Sequence, residues 1–99
     1  MSQIQLLSSE LTIYTAAEHR TRMLDWLGYG AEGPLVVDAS SIQEVDAAGV
    51  QLLVSLSRSL AQHQRRLELT NPSESLRQAC TRLGLAELLG AKTTEGATA

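Results

Sequence analysis

The sequence has few aromatic residues, and this scarcity decides what kind of core it can build. Only Tyr14, Trp26 and Tyr29 are aromatic, and Phe is absent. The core must therefore come from Leu, Val, Ile and Ala. A hydrophobic fraction of 43% with 19% charged residues is typical of a globular protein, and 99 residues suffice for one domain.

The sequence also has only one cysteine, no excess of positive charge and no long apolar run. Each of these features excludes a class of protein. A single cysteine, Cys80, cannot form an internal disulfide. The net charge of −3 gives no general attraction for nucleic acid, so we expect no nucleic-acid partner. No apolar run approaches the roughly 18 residues of a membrane span, and residues 1–15 lack a signal-peptide pattern. We therefore expect a cytoplasmic protein without direct membrane insertion.

Motifs for catalysis and for cofactors are missing as well. The sequence has no glycine-rich phosphate loop, no C-x-x-C and no histidine pair with metal-ligand spacing. His19 and His63 fall on the polar sides of two different predicted helices. The only lysine, Lys92, lies near the carboxyl end, where it cannot complete the acid-and-lysine set of a phospho-receiver domain. We expect no enzymatic activity, no cofactor and no metal.

Hydrophobic periodicity predicts two strands and a helix in the first third of the chain. Apolar and polar residues alternate from Ile4 to Leu6 and from Leu11 to Tyr14, which predicts an opening β-hairpin. Thr15-Ala16-Ala17-Glu18 has the form of a capping box, so a helix is expected from there to about Leu27. Its buried residues are predicted to include Ala16, Met23 and Leu27.

The remaining elements complete the order β-β-α-β-α-β-α. Leu35–Val37 suits a strand covered on both faces, and apolar spacing then predicts a central helix up to about Leu60. A strand around Leu67–Leu69 precedes a helix capped by Asn71 or Ser73, which buries Cys80 and ends at Gly84. The basic residues near the end of the central helix, namely Arg58, His63, Arg65 and Arg66, are interpreted as solvated charges at a helix C-terminus.

These elements predict an α/β fold in a single domain. We expect a mixed sheet of four to five strands with the helices packed against it, because the later strand–helix–strand connections require mostly parallel strands. The domain should span residues 1–90. The small and polar residues 91–99 are predicted to form a disordered tail.

The segment from Val36 to Val50 is the candidate working surface. It combines a buried strand, a polar loop and a helix start, so it places a helix N-terminus at the carboxyl end of a parallel strand, where α/β sheets bind ligands or partners. Asp46 is well placed to cap the helix and Asp38 to accept hydrogen bonds from the Ser40–Ser41 loop. The two carboxylates could instead hold a divalent cation or act as acid and base. Gly49 in the first helical turn indicates a close approach of backbone or partner.

Four separate segments carry a family resemblance. Val36–Ser40, Val45–Val50 and Leu83–Leu85 resemble the STAS domain of bacterial anti-sigma-factor antagonists, and Glu10–Ala16 is similar to the second strand and first-helix entry of that family. The likeness covers about residues 3–90. It implies the STAS fold, and it implies docking onto an anti-sigma factor or a related kinase through the loop and helix start at 38–50.

The chain departs from the family at the phosphorylation site. Switchable members have Asp-Ser-Ser-Gly and are phosphorylated on the serine before the glycine, whereas this sequence has Asp46-Ala47-Ala48-Gly49. Ala48 has no hydroxyl and cannot be phosphorylated. The resemblance therefore implies a partner-binding surface without the usual switch, made of Asp38, Ser40, Ser41, Asp46, Ala47, Ala48, Gly49 and Val50.

Three hypotheses follow for the function. The first is a regulatory module that binds an anti-sigma factor or a chemotaxis-type signalling kinase without a serine phospho-switch. The second is that the chain resembles the STAS subunit of a lipid-transport ABC complex, which grips its ATPase through the same segment. Those proteins tend to keep a threonine at the position of Ala47, and this departure weighs against the second hypothesis. The third makes Ser40 or Ser41 the phosphoacceptor, or makes the segment a nucleotide site. The sequence leaves the partner's identity and the oligomeric state open.

Overall fold

The computed structural model describes residues 4–27 and 32–89. The predicted tail at 91–99 lies outside this part of the chain. The described elements follow one another in this order: β1 (Ile4–Leu6), β2 (Glu10–Leu11), α1 (Ala16–Leu27), β3 (Leu35–Asp38), β4 (Glu44–Val45), α2 (Ala47–Ala61), β5 (Leu67–Thr70), α3 (Glu74–Arg82) and a 3₁₀ turn (Ala86–Leu89). The predicted α/β class is confirmed, and β4 is a short strand that the sequence analysis had placed in a loop.

The described strands form two small parallel sheets. One sheet has the order β1-β3-β5, and the other pairs β2 with β4. The predicted opening hairpin is therefore wrong, because β1 and β2 pair with different strands. The chain between them passes from one sheet to the other, and the Ser9 carbonyl there accepts the backbone N–H groups of Gln43 and Glu44 at 2.7 and 3.1 Å.

Parallel pairing brings the carboxyl ends of the strands and the starts of the helices to one edge. The Ala39 N–H donates to the Thr70 carbonyl at 2.9 Å, and the Ser73 N–H donates to the Ala39 carbonyl at 3.2 Å. These bonds tie the loop after β3 to the start of α3. Ser73 rather than Asn71 is the N-cap of α3, since its hydroxyl accepts the Leu76 N–H at 3.1 Å.

The central helix α2 carries the largest share of the core. As the 3.6-residue spacing predicts, it buries Gly49, Val50, Leu53, Leu56 and Leu60. Burial of one such Leu or Val side chain stabilises the fold by about 1.5–3 kcal/mol. The same core cluster contains buried side chains from the other helices, the strands and the loops. They include Leu7, Leu11, Met23, Leu35, Val37, Ile42, Leu69, Leu76 and Leu89.

Cys80 and Gly84 lie as predicted at the end of α3. Cys80 is buried, and desolvation raises the pKa of its thiol, so it behaves as a small apolar side chain. Gly84 has a φ of 73°, and the N–H of Leu85 donates to the Cys80 carbonyl at 2.7 Å. This is the predicted Schellman-type helix end with a glycine in the left-handed conformation.

His19 was predicted to lie on the polar side of α1, and this prediction is wrong. Its side chain is only 2% exposed, and it faces the connection between β1 and β2. The ring Nε2 lies 2.8 Å from the Glu10 carbonyl oxygen and 3.2 Å from the Ser8 hydroxyl. Hydrogen bonding to a backbone carbonyl makes the burial of this polar ring tolerable. Within the described residues, the second ring nitrogen has no hydrogen-bond partner.

Thr15 also differs from its predicted role. The Thr15 hydroxyl donates to the Glu10 carbonyl at 3.0 Å and accepts the Thr12 N–H at 3.1 Å, so it points back toward β2. The Thr15 N–H donates to the Thr12 carbonyl, and Glu18 is exposed. The predicted capping box is replaced by a hydrogen-bonded turn over Thr12–Thr15. Helix α1 nevertheless ends at Leu27, as predicted.

Candidate functional site

Asp46 is the residue that organises the start of α2. It is the N-cap, and its Oδ1 accepts the Gly49 N–H at 2.9 Å, which confirms the predicted cap. Its other oxygen, Oδ2, accepts the N–H of Ile13 at 3.0 Å. The N–H of Ile13, and next that of Gly49, hold the pKa of the Asp46 carboxyl below its usual value. One ionised side chain therefore joins segments that are 33 residues apart in the sequence.

Asp38 organises the loop that follows β3. Its Oδ1 accepts the backbone N–H of Ser40 at 2.8 Å, as predicted for this loop. The side chain of Ser40 and then its backbone N–H lower the pKa of the Asp38 carboxyl, and the side chain of Asn71 contributes less. Both carboxylates thus accept hydrogen bonds from backbone N–H groups of the same chain. In residues 4–27 and 32–89, no group of three or more His, Cys, Asp and Glu side chains is arranged to hold a metal ion.

Gly49 and Val50 lie beneath the surface, and this corrects their predicted contact with a partner. Both residues are buried, Val50 completely. A Cβ added at Gly49 would overlap the carbonyl oxygen of Leu11 and approach its side chain. The close approach predicted for Gly49 is therefore made by the backbone of β2. These two residues support the surface from below.

The remaining predicted residues are all at least partly accessible, and we refer to them together as the α2 corner. It consists of Asp38, Ser40, Ser41, Asp46, Ala47 and Ala48. Ser40, Ser41 and Ala47 are exposed, whereas Asp38, Asp46 and Ala48 are partly buried. Ile42 anchors the intervening loop in the core. The α2 corner contains small side chains, two serine hydroxyls and two carboxylates, of which Asp46 caps α2 and Asp38 ends β3.

Two exposed residues lie beside the α2 corner that were not predicted from the sequence to be functional. Ile13 and Tyr14 were interpreted as the end of a strand, but they lie in the turn between β2 and α1 and are 63% and 88% exposed. The bond from the Ile13 N–H to Asp46 places them next to the start of α2. The available signal was Thr12 and Thr15, since threonine hydroxyls favour local turns.

Comparison with known protein families identifies the fold. Residues 4–90 match the family described as "Mlab, STAS domain". The chain belongs to this STAS family. No curated protein matches the chain in sequence at a significant level. STAS domains act in general as regulatory or binding modules, and they are generally not enzymes.

The STAS assignment agrees with the arrangement of strands and helices around the α2 corner. The match spans every described element from β1 through the 3₁₀ turn. None of the helices in the described part of this STAS domain has the length and apolar character needed to span a bilayer.

Proposed function

We propose that this STAS domain is a non-enzymatic regulatory module that binds a signalling protein through the α2 corner. The partner is an anti-sigma factor or a signalling kinase, including kinases of the chemotaxis type. The observation that carries the proposal is the combination of an exposed Ala47 and a partly exposed Ala48 at the capped start of α2. Neither side chain offers a hydroxyl for phosphorylation.

The electrostatics of the α2 corner support binding without a phospho-switch. A phosphate group at the start of α2 adds roughly 1.5 to 2 negative charges. Here it would lie beside the Asp46 carboxylate, whose pKa is already lowered by the N–H groups of Ile13 and Gly49. With alanine at 47 and 48, a docked partner never has to cover a bulky charged group at this helix start and strip the water from it. The module therefore stays competent to bind.

The test introduces the missing charge permanently. The partner is first isolated with the tagged wild-type chain from the source organism, identified, and purified; its dissociation constant is then measured for wild type and for Ala48→Asp. We expect binding to weaken about tenfold or more, while the urea midpoint stays near that of wild type because an acid in a first helical turn is tolerated. Ala86→Asp is the matched control, since Ala86 is exposed and lies in the 3₁₀ turn. Equal affinity of all three proteins would place the interface elsewhere.

A second candidate is the STAS subunit of a lipid-transport ABC complex that binds its ATPase. Two observations favour it: the matched family carries the description Mlab, and a surface without a phosphoacceptor suits a subunit that stays bound. The same purification separates the two candidates, because an ABC ATPase would be recovered instead of a kinase. Ala47→Thr adds a discriminating variant, since tighter binding to the ATPase is expected only in this case.

Phosphorylation of Ser40 or Ser41 is the alternative to a permanently competent surface. Both side chains are exposed, and the Ser40 N–H is held by Asp38. If the isolated partner is a kinase, the chain is incubated with it and ATP, and its intact mass is measured. We expect no mass increase. An added phosphate that disappears in a Ser40→Ala or Ser41→Ala variant would overturn the constitutive character of the surface.

A further inference from the structure

The loop of Ile13 and Tyr14 is an exposed apolar feature that the α2 corner does not account for. Single exposed apolar residues are ordinary on protein surfaces, but here two large ones are consecutive, 63% and 88% exposed. Tyrosine is among the residues that most often dominate protein interfaces. The position of the pair, beside the start of α2, makes it continuous with the α2 corner.

The backbone of this loop is fixed by hydrogen bonds before any partner arrives. The Ile13 N–H donates to Asp46 at 3.0 Å, and the Tyr14 N–H donates to the Thr12 hydroxyl oxygen at 3.2 Å. The Thr12 hydroxyl in turn donates to the Glu10 carboxylate at 2.7 Å. A loop ordered in advance loses less conformational entropy on binding, and this favours affinity.

The formal charges on the two segments that meet at this loop have one sign. The two segments that meet here, Glu10–Glu18 and Asp38–Val50, contain five carboxylates and neither Lys nor Arg. The carboxylates belong to Glu10, Glu18, Asp38, Glu44 and Asp46. In the pairing of β2 with β4, Glu10 lies directly opposite Glu44. The nearest cations in the sequence, Arg20 and Arg22, follow on α1. A surface of this kind repels an acidic partner and attracts a basic one.

We propose that Ile13 and Tyr14 are the apolar anchor of the docking surface, and that they enter an apolar cleft on the partner protein rimmed by Lys and Arg side chains. This inference rests on the proposed function, since it extends the same surface and specifies the chemistry of the protein that binds it. Asp46 acts as the positioning residue, because it holds the anchor loop and the start of α2 in one geometry.

Photo-crosslinking in cells identifies what lies against the anchor. p-Benzoylphenylalanine replaces Tyr14 in the full chain, and as a control it replaces Leu24, which is 57% exposed on α1. We expect a covalent adduct from position 14 that is absent from position 24, and we expect the crosslinked partner peptide to border Lys or Arg residues. An adduct between two copies of this chain, or adducts of equal yield from both positions, would overturn the proposal.

Binding measurements with the purified crosslinked protein complete the test. Tyr14→Ala should weaken binding about tenfold or more, whereas Leu24→Ala should change it less than about twofold. Both side chains are exposed, so the urea midpoints should match that of wild type. Affinity should also fall between about 50 and 300 mM NaCl, and Glu44→Gln should make that fall shallower. Affinity that is independent of salt would overturn the cationic rim.

The proposed anchor and the proposed function of the α2 corner can be disproved separately. If Ala48→Asp weakens binding but Tyr14→Ala does not, the anchor is wrong and the α2 corner stands. If neither variant changes the affinity, both the anchor and the proposed function are wrong. If both variants weaken binding while their controls do not, both are supported.

Discussion

The α2 corner and the opposite end of the molecule use charge in different ways. At the α2 corner, the carboxylates of Asp38 and Asp46 accept backbone N–H groups, and their pKa values are lowered as a result. The basic end, which consists of Arg58, His63, Arg65 and Arg66, has mostly exposed side chains. Arg65 Nε donates to the Gly33 carbonyl at 2.8 Å, and Arg66 pairs with Glu68 at 3.0 Å while 78% exposed.

The difference lies in what each charge holds in place. Asp46 joins β2 to α2 across a long stretch of sequence, and Gly49 lies directly on the backbone of Leu11. At the basic end the Arg65 side chain also reaches a distant residue, Gly33, but α2 itself is closed there by bonds between near neighbours, such as the Arg65 N–H with the Leu60 carbonyl at 2.9 Å. Substitution of Asp46 or Gly49 should therefore disturb the fold, whereas substitutions at the basic end should be tolerated.

The largest effect is expected from Gly49→Ala. The added methyl group meets the carbonyl group of Leu11, which is backbone and cannot rotate away, so β2 or α2 must move. We expect the free energy of unfolding to fall by about 3 kcal/mol or more. Urea unfolding followed by the fluorescence of the single tryptophan, Trp26, measures it.

Gly84→Ala is the control for this prediction. Gly84 has open space around it but a φ of 73°, so the substitution costs only backbone strain of about 1 to 2 kcal/mol. If Gly49→Ala proves no more costly than Gly84→Ala, the close contact between α2 and β2 does not govern this end of the molecule.

Asp46→Asn should produce an intermediate effect that depends on pH. Asparagine caps helices well and can keep the bond from Gly49, but it places an NH2 group where Oδ2 accepts the Ile13 N–H, so the variant should lose stability at pH 7. In wild type the folded pKa of Asp46 is lowered. Its contribution to stability is therefore complete well above the ordinary value of 3.8, above about pH 5, and is lost as the pH falls through 3.8 and then through the lower folded pKa.

The variant lacks this titration, so its urea midpoint should fall less steeply than that of wild type between about pH 5 and pH 3. Amide exchange at Ile13 should accelerate at neutral pH, because its acceptor is gone. If the urea midpoints of the two proteins fall equally steeply with pH and amide exchange at Ile13 is unchanged, Asp46 does not position the loop.

At the basic end, Gln64→Gly should stabilise the fold. Gln64 has a φ of 57°, a conformation that favours glycine, at the point where α2 ends. Relief of this strain exceeds the extra entropy of glycine in the unfolded chain, and we expect a gain of about 0.5 kcal/mol. A loss of stability in urea unfolding would show that the Gln64 side chain contributes more than its backbone costs.

The smallest effect is expected from Arg66→Ala. Its ion pair with Glu68 lies at the surface, and such pairs contribute little. The free energy of unfolding should change by less than about 0.5 kcal/mol, with little difference between low and high salt. A loss above about 1 kcal/mol would erase the contrast between the two ends.

The sequence was informative wherever structure follows from local pattern. The bounds of α1 and α2, the caps at Asp46 and Ser73, the burial of Cys80 and the helix end at Gly84 each depend on residues within a few positions of one another. Gly49 was also recognised as a close contact, although its partner could not be named, because Leu11 is far away in the sequence.

The errors came from interactions between distant segments. Strands β2 and β4 have two residues each, and this is too few for an alternating pattern to specify a partner. The parallel pairing of β2 with β4 was therefore not predicted. His19 was assigned to a polar face because a helical pattern cannot show that its ring hydrogen-bonds to the Glu10 carbonyl. Ile13 and Tyr14 were misplaced because their geometry depends on Asp46.

The most direct test of the central claim maps the partner's footprint on both ends at once. Amide resonances of the ¹⁵N-labelled chain are followed while the purified partner is added at substoichiometric amounts. The account predicts line broadening at Ile13, Tyr14 and the exposed residues of the α2 corner, with the basic end unchanged. Broadening confined to Arg58, His63, Arg65 and Arg66 would contradict it.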